Sequence, residues 1–71
     1  MSTAFEITVD DVLNVVHKMG KKIDGDKADA IFDNLDQFKV EEAALYGNDM
    51  EEQTNYAYKE IERQITEGYL L

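Results

Sequence analysis

Apolar residues recur along this chain at intervals of three and four, the spacing of helices that each bury one face. Val9, Val12, Leu13 and Val16 form the first such stripe, and Ala28, Ile31, Phe32 and Leu35 the second. Phe38, Val40, Ala44 and Leu45 are the core candidates of a short third helix over Gln37–Tyr46. Met50, Thr54, Ala57, Tyr58, Ile61 and Ile65 trace one side of a longer helix that runs to about Glu67. The polar residues between the stripes supply the starts and stops. Thr8 can cap the first helix while Asp11 reaches back, with Ile7 and Val12 placed as a hydrophobic staple. Lys18 suits the end of that helix, and Gly20 suits the left-handed residue just past it. Asp24 or Asp26 opens the second helix and Asp36 caps the third. Asn48 or Asp49 caps the fourth, where Glu52 completes a capping box with Asp49. Gly47 and Gly68 act as stops, and the apolar tail Tyr69-Leu70-Leu71 can fold back onto the core. Phe5, Ile7 and Val9 alternate, which allows a short extended N-terminal arm without a second strand to pair with it. The expected fold class is all-α: one small bundle of about four short helices over residues 1–71.

Size makes such a bundle marginal. A chain of 71 residues buries only about 60% of its unfolded surface, and it has no cysteine to staple it. Stability must come from close helix packing or from a partner chain, a homodimer included. The longest wholly apolar run, Ala43–Tyr46, is four residues, far too short to span a bilayer. The opening MSTAFEITVDD lacks a basic region leading into an apolar core, so the expected location is the cytoplasm.

Charge sharpens the picture. Sixteen acids against seven bases leave a net charge of −9, and residues 24–58 hold ten of the acids against Lys27 and Lys39 alone. Such a surface repels nucleic acid and anionic lipid and draws in basic partners. The densest stretch, IDGDKADAIFDNLD at residues 23–36, is not a calcium loop. With Asp24 first, Asp29 stands where the loop needs glycine, and Leu35 where a bidentate glutamate must close it. Read as a helix, it places Asp26, Asp29, Asp33 and Asp36 in a stripe of their own, opposite the apolar one. Like charges four apart cost a few tenths of a kcal/mol each. A purely structural helix would avoid that by mixing in lysine.

Catalytic chemistry finds little to work with. His17 is the only histidine and has no histidine four residues on, so no metal or cofactor is expected. No serine or threonine lies in a nucleophile motif, and an enzyme is not expected. Among the four tyrosines, Tyr58 belongs to the apolar stripe of the fourth helix, whereas Tyr56 points elsewhere, near Glu52, Asn55 and Glu60. It is either an amphipathic ring half covering the core or an exposed contact residue.

The acidic segment has two readings. One is a solvated face that keeps a small protein soluble. The other is a surface that imitates a phosphate backbone: Asp26, Asp29, Asp33 and Asp36, joined by Glu41, Glu42, Asp49, Glu51 and Glu52, with Tyr56 as anchor. A helical stripe offers a carboxylate about every 5 Å, whereas duplex DNA carries a charge about every 1.7 Å. One helix is therefore roughly three-fold too sparse, and the imitation requires neighbouring helices to add their acids. In its acidity, length and helical pattern, including AALYGNDMEEQTNYAYKEIERQI at residues 43–65, the chain resembles small phage and mobile-element proteins that block host defences. Anti-CRISPR and anti-restriction proteins of the DNA-mimic type are examples. That resemblance implies a non-enzymatic inhibitor that occupies a basic nucleic-acid-binding site of a host protein. The alternative is a homodimeric adaptor or regulatory subunit that binds through apolar surface at Val15, Met19, Ile23 and the Tyr69–Leu71 tail.

Overall fold

A computed structural model describes residues 7–71, and among them the chain forms four helices and no strand. They are α1 (Val9–Lys18), α2 (Gly25–Asn34), α3 (Gln37–Ala44) and α4 (Met50–Glu67). The spine is α4. Its 18 residues run about 27 Å by the helical rise, most of the 31 Å long axis of the described chain. α1 and α3 both pack against it, and α2 packs against α1. The small all-α bundle is as expected.

The core is aliphatic throughout. Val12, Val15 and Val16 of α1, Ala28 and Ile31 of α2, Val40 and Ala44 of α3, and Ala57, Ile61 and Ile65 of α4 are buried, with Ile7 and Leu35 from the connections. Alanine on α2, α3 and α4 lets the helices approach closely, and Phe32, Tyr58 and Leu70 pack around the edge. No polar side chain is buried among the described residues, so every charge faces outward.

Each helix starts as its sequence dictates. The Asp11 carboxylate accepts the Thr8 N–H at 2.8 Å and its hydroxyl at 3.4 Å. Asp24, Asp36 and Asp49 accept the N–H of Lys27, Lys39 and Glu52 at 2.8, 3.2 and 2.9 Å. The expected capping box is displaced by one residue: Glu52 accepts the Asn48 N–H at 2.9 Å, not that of the N-cap residue Asp49. Gly47 does more than stop α3. A Cβ there would lie 2.7 Å from the Glu52 carbonyl carbon and collide with the Gln53 nitrogen, so the α3–α4 turn can seat on α4 only with glycine.

Several expectations are corrected. Phe38 and Leu45 are 72% and 66% exposed, because α3 rests mainly on α4 and buries one narrow stripe, Val40 and Ala44. Met50 is 61% exposed: it is the first residue of α4, and the buried seam begins two turns later at Ala57. Val15, expected as a surface contact, is buried because α1 packs against two helices and so hides a wider face; Met19 and Ile23 are half-buried against the same core. Val9 is already helical, which shortens the expected extended arm, and Phe5 lies outside the described residues.

The first and last helices end alike. Past α1, Gly20 is left-handed (φ 80°), with Gly20 N–H bonded to His17 O and Lys21 N–H to Val16 O at 3.0 and 3.1 Å. Past α4 the left-handed residue is Tyr69 (φ 53°), one position after the expected Gly68, and Leu70 N–H bonds Ile65 O at 3.0 Å. This bond turns Leu70 back onto the core. A tyrosine in that conformation is strained by about 1–2 kcal/mol, part of which glycine's greater unfolded freedom would return. Tyr69→Gly should therefore stabilise the fold by about 0.5–1 kcal/mol, raising Tm by roughly 3–6 °C. A Tm that stays put or falls in calorimetry would contradict the left-handed cap.

Candidate binding surface

The acids of the middle segment fall into two groups by what their oxygens do. Asp36, Asp49 and Glu52 each give an oxygen to a main-chain N–H at the start of α3 or α4, so part of the acidity is architectural. Asp36 is tied further: its N–H donates to Gln64 Oε1 at 2.7 Å and its carbonyl accepts from Gln64 Nε2 at 3.3 Å. That bidentate contact clamps the α2–α3 junction to α4.

Asp26, Asp29 and Asp33 form the second group, on the side of α2 opposite Ala28 and Ile31. With Glu42 and Glu51 they are exposed, while Glu41 is half-buried. None of these six has a hydrogen-bond or ion-pair partner among the described residues. The ion pairs there are both on α4, where Arg63 meets Glu60 and Glu67. Arg63 outweighs burial in holding the Glu60 carboxyl below the usual range, and Gln64 and Lys39 add to the effect. Lys27 and Lys39, the only lysines of the acidic segment, make no ion pair among the described residues. The last turn of α2 holds no base, so Asp33 faces both Asp29 four residues back and the negative end of its helix dipole.

The two sets of acids stand on separately packed helices, α2 on α1 and α3 on α4, joined by Leu35 and Asp36 alone. Tyr56 is 42% exposed; its ring lies 6.4 Å from that of Tyr46, and Lys59 Nζ sits 5.8 Å from its centre. The bases gather elsewhere. His17, Lys21 and Lys22 border an open hollow past α1, floored by Leu13, Val16 and Ile23. Among the described residues no three His, Cys, Asp or Glu side chains come close enough to hold a metal ion. No described helix is long and apolar enough to cross a membrane.

Sequence reasoning missed an exposed apolar set in the same stretch of chain: Phe38, Leu45, Tyr46 and Met50. The signal was present, since Phe38 and Leu45 are seven apart while Val40 and Ala44 form a competing stripe of smaller residues. Comparisons with protein families, curated proteins and solved structures find no match for the chain.

One polar tie holds the scaffold beneath this surface. The Tyr58 hydroxyl donates to Asp11 Oδ1 at 2.6 Å and accepts from Asn14 Nδ2 at 3.3 Å, fastening α4 to α1. Burial and then the bond to Asp11 push the phenol above its ordinary value of 10.0, with Asn14 working the other way. Because the fold favours the neutral phenol, this contribution is complete below pH 10 and fades as pH rises through the raised value. Tyr58→Phe should cost about 1–2 kcal/mol at pH 7 and should flatten the loss of stability above pH 10. Urea unfolding of both proteins at neutral and alkaline pH checks this; parallel losses would refute the tie.

Proposed function

We propose that the protein is a non-enzymatic inhibitor, acting in the cytoplasm, that covers a basic nucleic-acid-binding site on another protein. The observation that carries this reading is the set of solvent-facing carboxylates on α2, α3 and the start of α4 that have no cationic partner among the described residues. Asp29 and Asp33 repel each other and Asp33 also opposes the helix dipole, a cost that serves no packing purpose. The described chain measures 31 × 22 × 20 Å, and a standard footprint of about 800 Å² is roughly 30 Å across. The reading needs one partner groove to take both groups of acids, which would make up for the sparseness of a single helix. Attraction of this kind speeds encounter and weakens with salt.

The adaptor reading has less support. Val15, Met19, Ile23 and Leu70 are engaged with the chain's own core, which leaves Tyr69 and Leu71 exposed from the surface it needs.

A bacterial lysate passed over the immobilised protein at about 50 and about 500 mM NaCl tests the proposal. A nucleic-acid-binding protein should be retained at low salt only, and its hold on duplex should be competed away by the free protein. Asp29→Lys/Asp33→Lys should lose this capture while gaining a few tenths of a kcal/mol in stability. Capture that survives the double reversal, or a captured protein that binds duplex and this chain together, would contradict the proposal.

A further inference from the structure

The outer face of α3 carries more than charge. Phe38 and Leu45 lie seven residues apart, so at about 100° per residue they fall on one line of the helix, on the side away from Val40 and Ala44. Glu41 and Glu42 flank that line, three and four residues on from Phe38. Tyr46, in the turn that follows, is 75% exposed, and Met50, the first residue of α4, is 61% exposed. Lys39 stands a quarter-turn away and adds its field to Glu60 on α4. The result is a ridge of large apolar side chains with carboxylates on both sides.

Side chains of this size left in water, next to a core built of valine, isoleucine and alanine, mark a contact surface. We infer that this ridge docks a cationic amphipathic helix of a partner protein: Phe38, Leu45, Tyr46 and Met50 enter its apolar stripe, and Glu41 and Glu42 meet flanking lysines or arginines. Charge decides the occupant. A second copy brought face to face would crowd two Glu41/Glu42 pairs into one interface. A helix with bases beside its apolar stripe satisfies both features at once. The inference rests on the proposed reading for the sign of the partner's charge. It assigns the apolar grip to α3, and to the α2 aspartates the salt-sensitive attraction.

The probe is a synthetic peptide of about 18 residues, roughly five turns, with leucine along one face and lysine along the other. A control peptide carries serine for leucine at the same charge. Titration against the full chain, followed by anisotropy and by amide chemical shifts, should show the leucine peptide bound at least about ten-fold more tightly than the control. Phe38→Ala/Leu45→Ala should remove that advantage and leave control binding and helicity unchanged. Shifts in the unsubstituted protein should centre on residues 37–50, which tests the site whether or not the variant folds. Shifts confined to α2, or an advantage that survives the double substitution, would overturn the inference. So would a wild-type dimer that the substitution dissociates, because the occupant would then be a second copy. Failure here leaves the lysate experiment standing as the separate test of the basic target.

Discussion

Ala57, Ile61 and Ile65 stand four residues apart along α4, and the burial of that seam by α1 and α3 is what every other feature of the molecule depends on. A chain of this size has one core, and here it contains no polar side chain among the described residues. Each remaining helix therefore contributes a single aliphatic stripe and turns its other sides to water. The width of each stripe follows from the number of neighbours. α1 has two and hides Val12, Val15 and Val16, whereas α3 rests mainly on α4 and hides only Val40 and Ala44. The exposed Phe38 and Leu45 are thus a consequence of how few helices there are to cover α3.

The same economy explains part of the acidity. Asp11, Asp24, Asp36 and Asp49 each serve the first turn of a helix, where a carboxylate meets free N–H groups and the positive end of the dipole. Others have no such role. Asp29 and Asp33 project from the middle and end of α2, where nothing in the fold draws on a negative charge. It is this second set, with Glu42 and Glu51, that gives the surface its character. Polar ties between helices are few and specific: Tyr58 to Asp11, and Gln64 to the main chain of Asp36. Both pin α4 to a neighbour and leave the outward carboxylates untouched.

The helices were legible in the sequence because apolar spacing and capping residues agreed at each one. Thr8 with Asp11, Asp36, Asp49 and Gly20 all act as their types and positions require. What local pattern could not convey was which of two stripes a short helix would bury. On α3 the larger side chains lost to the smaller, because seating the helix on α4 favours Val40 and Ala44. Val15 was misjudged for the converse reason: its burial depends on the second neighbour of α1. At the end of α4 the left-handed position fell one residue beyond glycine, a shift that hydrogen bonds to Ile65 and Thr66 decide. For the candidate surface, composition located the acids, but the architectural ones separated from the free ones only when their bonds were seen.

Among the described residues the carboxylates of α2, α3 and the start of α4 have no ion-pair partner. Thermal unfolding in NaCl from about 10 mM to about 0.3 M, where screening dominates, measures this without any partner. If the carboxylates repel one another as described, Tm climbs steadily as salt is added. A Tm that drops or holds level over that range would mean that internal ion pairs balance the charge, and the surface would then have no claim on a cationic partner.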